Sequence, residues 1–594
     1  MTRPIRTFVA VLLLAGCGDD GETDTTGVDS GTVDMSAPTD AGGRDAFTTA
    51  DLGARDLGTD DLGPPPDLGT DDMGEAVDAP APRPLGPASS AFVTSPNVEI
   101  RWALTAPATG ARVEICRDRG CTDVLETLDV EGESVTTLVP PDPGLTSRVF
   151  HFRLTGLADG VPGSERSPVW AFAVRGAVSV GTTASWGSLP NPNGDRFADV
   201  FAAAPTSSAG RGYHGRRPAG ASPPPDVRLS GGSGLGRSVH AIGDVNGDGY
   251  ADLGFGTDGE LLVFHGRMGG LPGTLLATTA DARLSVGANA AIDGAGDVDG
   301  DGYADVIVGD ADGESASIHY GSATGLGTTG TPIPGSHPAG FGRSVAGACD
   351  VDADGYADVI VGADGAARVF YGSESGPSTS ATLNPGPESD GFGAAVACVG
   401  DVNGDGHPDV AVGAPEGHSV FVYHGSAGGI APTAAGILRK QPGDPGGGVT
   451  TRHAEDFGAY VAAAGDVNGD ERGDVVVLAP TPQTLVADGF VGYAYVFHGS
   501  AGGLPSTPAG LSTTHPRAIG SSVGNEVNRP LMVAGVGDID GDGYDDIALG
   551  TPLRAGGAGG VFVHLGSGSG IPFSGAWTLE DGALSGYGSG IAGL

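Results

Sequence analysis

The chain has 594 residues, 108 of them glycine, and a formal net charge of −43. That charge argues against a nucleic-acid partner, since phosphate binding needs clustered Lys and Arg. It suits an exported protein or one that holds divalent cations. The length allows about three or four domains, the glycine-rich, aromatic-poor composition disfavours helices, and no apolar run reaches the roughly 18 residues of a membrane span.

At the N-terminus, Arg3 and Arg6 precede a short apolar stretch from Phe8 to Ala15, the layout of a signal peptide over residues 1–17. It ends in Leu14-Ala15-Gly16-Cys17, which resembles the bacterial lipoprotein box. The resemblance implies that Cys17 is the lipidated first residue of the mature chain. The protein would then be lipid-anchored in a cell envelope, at the outer membrane or cell surface of a Gram-negative bacterium. An ordinary signal peptide is the alternative.

Residues 18–84 repeat "DLG" among Pro, Thr and Ala, with too few apolar side chains for a core. They read as a disordered acidic tether. Residues 85–176 change character: "VEIRWAL", "ARVEICRD", "SVTTLV", "RVFHFRLTGL" and "VWAFAV" alternate apolar and polar positions between turns. This is the pattern of a small β-sandwich, and it is similar to fibronectin type III or immunoglobulin-like modules. Cys116 and Cys121, at the ends of "CRDRGC", are expected to close a short disulfide loop.

Residues 178–594 are repetitive. An acidic loop recurs seven times, and we number the loops 1–7 by their first residues: Asn191, Asp244, Asp297, Asp350, Asp401, Asp466 and Asp538. The first three intervals are 53 residues, followed by 51, 65 and 72. A period of this size means a propeller, solenoid or array. Each unit reads as a strand, the acidic loop, a second apolar strand, a third strand, and a variable fourth such as "TLLATTA". Four short strands per unit make a propeller blade, so the expected fold is all-β, with a seven-bladed β-propeller after the sandwich.

In loop 2, Asp244, Asn246 and Asp248 stand at positions 1, 3 and 5, Gly249 at 6, Tyr250 at 7 and Asp252 at 9. Calcium takes six to eight oxygens. Alternating carboxylates on a tight turn can converge on one ion, the glycine permits the bend, and the carbonyl at 7 can add an oxygen. An EF-hand begins alike but needs a Glu at 12 and flanking helices, whereas position 12 is apolar in every copy, Phe255 here.

The repeats resemble FG-GAP repeats, the units of the integrin α-subunit propeller and of many bacterial surface proteins. "FG" stands at Phe341-Gly342, Phe392-Gly393 and Phe457-Gly458, and "GAP" at Gly413-Ala414-Pro415. The resemblance implies a calcium ion in each loop, up to seven. Its ligands would come from Asp297, Asp299, Asp301, Tyr303 and Asp305; from Asp350, Asp352, Asp354, Tyr356 and Asp358; and from Asp401, Asn403, Asp405, His407 and Asp409. They would come also from Asp538, Asp540, Asp542, Tyr544 and Asp546, and from Asp466, Asn468, Asp470 and Asp474 in loop 6, which lacks the position-6 glycine. Loop 1, with Asn191, Asn193, Asp195 and Asp199, lacks both the first carboxylate and the glycine and is expected to bind weakly.

Other motifs carry less. Gly520-Ser-Ser522-Val-Gly524 matches G-x-S-x-G but sits where other repeats have "FGRSV". Arg472-Gly473-Asp474 spells RGD, yet Asp474 is a position-9 residue and should point inward. His265, His424 and His498 end third strands of different units, where Tyr371 serves equally. Cys349 and Cys398 lie in the first strands of neighbouring units; two buried thiols are the expectation and a disulfide between them is the alternative. "GYGSGIAGL" at 586–594 copies the start of a repeat, so residues 587–594 should form the innermost strand of the first blade, beside 198–203. No catalytic constellation stands out. The expected function is a calcium-binding adhesion or binding module for a protein or polysaccharide. A calcium-dependent, lyase-like polysaccharide enzyme and a structural envelope component are the alternatives.

Overall fold

The computed structural model describes residues 78–87, 91–93, 97–138, 149–174, 185–186 and 192–593, the last stretch with breaks, the longest at 440–455, 481–492, 506–517 and 520–531. The expected signal segment with Cys17, most of the expected tether and the G-x-S-x-G motif lie outside these residues. Among the described residues every regular element is a strand or a short 3-10 turn. None is a helix long and apolar enough to cross a membrane.

Two sheets form first. One contains Arg83–Gly86, Asn97–Ala103 and Ser134–Leu138; the other is built around Gly110–Cys116, Val149–Ala158 and Trp170–Val174. The strict exposed–buried alternation along Asn97–Ala103 sends Val98, Ile100 and Trp102 inward, where they meet Val113, Phe152 and Trp170. Packing starts slightly ahead of residue 85: Ala79 is buried, and the Asp78 carboxylate accepts a hydrogen bond from the Ser164 amide at 2.6 Å. Cys116 and Cys121 are disulfide-bonded, as expected.

Seven further sheets follow in chain order. In the second to seventh, four antiparallel strands are laid side by side in sequence, for example Ala395–Gly400, Asp409–Ala414, Ser419–Tyr423 and Gly436–Arg439. The acidic loop joins first and second strands. The ladder slips just before it, at Gly243, Gly296, Gly400, Gly465 and Gly537. These glycines have φ between 65° and 76°, a left-handed bulge that lets the chain leave the strand and enter the loop. Second strands are buried along their length because both faces meet a neighbouring sheet, which is why they read as apolar runs.

The first strands lie next to one another in order: Val239–Gly243, Ala291–Gly296, Ser344–Cys349, Ala395–Gly400, Tyr460–Gly465, Met532–Gly537, Gly590–Gly593, and again Val239–Gly243. The strand Gly590–Gly593 pairs antiparallel with Val200–Ala204 of the first sheet, with Val200 opposite Gly593 and Ala203 opposite Gly590, as the copied motif led us to expect. Tyr587, fully buried, donates its hydroxyl hydrogen to Tyr213 Oη at 2.9 Å and secures this junction.

Two expectations are corrected. Cys349 and Cys398 are not free thiols but form a disulfide. They lie on adjacent first strands, where facing positions come together across the interface between the fourth and fifth sheets. The "TLLATTA" segment is not the fourth strand of its own sheet: Thr274–Leu276 runs parallel to Val227–Ser230 on the outer edge of the first sheet. Ala282–Ser285 takes the fourth place instead.

Candidate metal-binding loops

The position-9 aspartate is the structural hub of each loop. Asp199, Asp252, Asp305, Asp358, Asp409, Asp474 and Asp546 are all 0% exposed. One carboxylate oxygen of each accepts the amide of the glycine after the third strand, from Gly215 to Gly566, at 2.7–2.9 Å. In loops 2–7 the other oxygen accepts the position-2 amide at 2.8–3.0 Å. One side chain thus joins the loop's start to the far end of the next hairpin.

The position-1 aspartate folds the turn from the other side. Asp244 accepts the amides of Asp248 and Gly249 at 3.0 and 2.8 Å. Asp350 accepts those of Asp354 and Gly355, and Asp297 that of Gly302. The position-5 carboxylate then accepts the position-7 amide, as Asp301 accepts that of Tyr303 at 3.0 Å.

The carboxylates converge in three loops: Asp297, Asp299 and Asp305; Asp350, Asp352 and Asp358; Asp538, Asp540 and Asp542. In each group one oxygen per residue lies within 4.8 Å of the others. Asp297 Oδ1 and Asp352 Oδ1 are buried without a hydrogen-bond partner. Burial first, and the crowded carboxylates second, push Asp244 up to about 6, Asp350 to about 7 and Asp299 to about 6. Burial likewise lifts Asp409 to about 8 and holds Asp252, Asp305, Asp358 and Asp546 well above the usual carboxylate range. Buried acids with unmatched oxygens are an arrangement that a positive charge stabilises. The all-oxygen donor set fits a hard cation and not a soft one.

Loops 1, 2, 5 and 6 carry Asn at position 3; in loops 2 and 5 it lies beside the position-5 carboxylate. There Asn246 and Asn403 donate to the position-5 carboxylate at 3.0 and 2.9 Å, removing one negative charge from the ring. Loop 6 reaches the bend without its glycine: Glu471 takes φ 67°, a strained value for a side-chain-bearing residue. In loop 1, Asn193 and His214 Nδ1 both stand 2.9 Å from Asp199 Oδ2, while Asn191 and Asp195 lie outside the described residues.

A second function of position 7 is not legible in the motif. Its side chain crosses the position-4 glycine of the preceding loop: Tyr303 over Gly247, Tyr356 over Gly300, Arg472 over Gly404, Tyr544 over Gly469 and Phe197 over Gly541. Backbone bonds follow the same path, from the Ala304 amide to the Asp244 carbonyl and from Ala198 to Asp538, each at 3.0 Å. The histidines that end third strands act alike, His265, His424 and His498 lying against Gly325, Gly503 and Gly570 of the next sheet. RGD is not presented, since Asp474 is buried.

The N-terminal sheets touch three of these loops. The Arg119 guanidinium lies 3.8 Å above the Tyr303 ring, and Arg83 lies 5.2 Å from the Tyr356 centroid and 4.0 Å from Asp354. Val149 and His151 face Gly249 of loop 2.

Residues 297–361 and 350–412 match the FG-GAP-like repeat, and residues 532–564 match the FG-GAP repeat. The chain is 35% identical over 154 residues to integrin alpha-7 of Rattus norvegicus, covering 23% of this chain and 12% of that protein. It is 34% identical over 169 residues to integrin alpha-4 of Xenopus laevis, covering 27% and 14%. It therefore spans about an eighth of the length of these relatives. Among solved structures, BBS1N in complex with ARL6DN aligns over 56% of this chain and 79% of that one at 13% identity, with a TM-score of 0.30. The chain thus carries FG-GAP repeats within residues 297–412 and 532–564, and part of it is similar to integrin alpha chains.

Proposed function

We propose that the seven repeat sheets are the blades of a closed propeller whose acidic loops bind calcium. The propeller and a preceding β-sandwich would be carried on the acidic tether of a lipid-anchored cell-surface protein that binds a protein or polysaccharide. The observation that carries the calcium reading is the convergence of three carboxylates in each of three loops, with Asp297 Oδ1 and Asp352 Oδ1 buried and unpartnered. The ring order of the first strands and the pairing of Gly590–Gly593 with Val200–Ala204 support closure. Likeness to integrin alpha chains supports a binding role over an enzymatic one.

When bound, the ion would neutralise the carboxylates that otherwise repel. The chain's own residues do the rest. Position 9 holds the loop to the hairpin, position 1 fixes the bend, and in five loops position 7 locks onto the preceding loop. The loops thereby become a rigid rim that can present variable connections to a partner. The test is binding to glycan and protein arrays with calcium and with EDTA, alongside calorimetric titration of calcium. Binding in calcium that is lost in EDTA supports the reading; a titration with no heat of binding overturns it.

A further inference from the structure

We propose that loops 3 and 4 are the seat on which the chain's own N-terminal sheets dock, and that cation binding there and docking form one coupled equilibrium. This rests on reading the loops as cation sites. The seat is made of bare backbone. Gly302, φ 90°, is buried against the Val169 carbonyl oxygen, and Gly355, φ 93°, against that of Pro84, so closely that a Cβ on either would collide. The equivalent Gly406 of loop 5 is exposed, and a Cβ there would meet nothing within 4 Å. The glycine at position 6 thus has two duties in loops 3 and 4: it makes the bend, and it leaves room for the sheets.

The residues that make the seat are those the acidic groups fold. The Gly302 amide donates to Asp297 at 2.8 Å and the Gly355 amide to Asp350 at 2.9 Å. The Tyr303 and Tyr356 amides each donate at 3.0 Å to the position-5 carboxylates of Asp301 and Asp354. Those same tyrosine rings carry Arg119 and Arg83. A cation that draws positions 1, 3 and 5 together therefore fixes the surface that the sheets touch. Arg119 stands on the Tyr303 ring face, while Arg83 stands over the Tyr356 ring and 4.0 Å from Asp354. Linkage makes the effect reciprocal: docked sheets hold the loops in the cation-binding shape, and so raise their affinity.

The test is hydrogen–deuterium exchange of the full chain, with calcium chloride and with EDTA. Chelation should speed exchange about tenfold or more, within the range usual for coupled sites, both in loops 3 and 4 and in the strands around Arg83–Gly86 and Trp170. In calcium, the double variant D301N/D354N should reproduce the effect in those strands, and D405N in the open loop 5 should not. Arg119→Ala should weaken calcium binding, while Arg112→Ala, whose partner is Asp129 at 2.7 Å, should not. Unchanged protection of the N-terminal strands in a sample that binds calcium by calorimetry overturns the coupling alone. A sample that binds no calcium overturns both the coupling and the reading beneath it.

Discussion

Loops 3 and 5 have nearly the same sequence and different surroundings. In each, a fully buried position-9 aspartate accepts two backbone amides and a position-1 aspartate caps the turn. They differ in sequence at positions 3, 7 and 8, and in what covers the glycine at position 6. In loop 3, Gly302 is buried under the N-terminal sheets and Tyr303 carries Arg119; in loop 5, Gly406 is exposed and His407 stands in the tyrosine's place. The lesson is that the hub of such a loop is insulated by burial and stays constant, while its tip is free to become an interface.

The largest effect should be common to both loops. Calcium at a hundredfold excess over its dissociation constant should add about 2.7 kcal/mol per site to stability, and chelation should lower Tm. Without calcium, acids such as Asp350, up to about 7, and Asp409, up to about 8, bind protons more tightly when folded. Their contribution is fully present below the unfolded value near 4 and is lost as pH rises through 7 to 8. The metal-free protein should therefore melt at a higher temperature at pH 5 than at pH 8, and calcium should erase the trend. Calorimetry across pH with and without EDTA measures it.

Asp305→Ala and Asp409→Ala should cost alike, about 3 kcal/mol each, because each strands two buried amides at roughly 1–3 kcal/mol apiece. A much larger loss in the covered loop, read from denaturant midpoints, would break the claim that the hub is insulated. At the tip the loops should diverge. Gly406→Ala should cost only the left-handed strain of about 1–2 kcal/mol. Gly302→Ala should cost more, since it also meets the Val169 carbonyl, and only it should expose the N-terminal strands to exchange. Smallest is Arg83→Ala, within about 1 kcal/mol, because its pair with Asp354 is about two-fifths exposed on each side. Equal thermal shifts for Arg83→Ala and Gly302→Ala would show that charge, not backbone fit, holds the seat.

What the sequence disclosed was local and periodic. The acidic loops, the apolar second strands and the strand copied at 587–594 each repeat a pattern, and a repeat fixes neighbours without knowledge of distant packing. What it hid was contact between patterns. Cys349 and Cys398 hold different places in their own first strands, and only the stagger between adjacent sheets pairs them. Thr274–Leu276 looks like its own unit's edge but pairs backwards onto the first sheet. Arg119 sits inside "CRDRGC", where it reads as an ordinary disulfide loop, and nothing nearby announces a tyrosine far along the chain.

The pairing of Val200 with Gly593 has a consequence for how the molecule is made. Loop-closure entropy grows only logarithmically, about 0.6 kcal/mol per doubling of length, so joining segments this remote in sequence is affordable at equilibrium. Kinetically it is the most non-local strand pairing among the described residues, and such steps are slow. The inner sheets can assemble from neighbouring segments while Val200–Ala204 waits with an unpaired, wholly apolar edge. That waiting edge is the place where a nascent molecule is most open to pairing with another copy of itself.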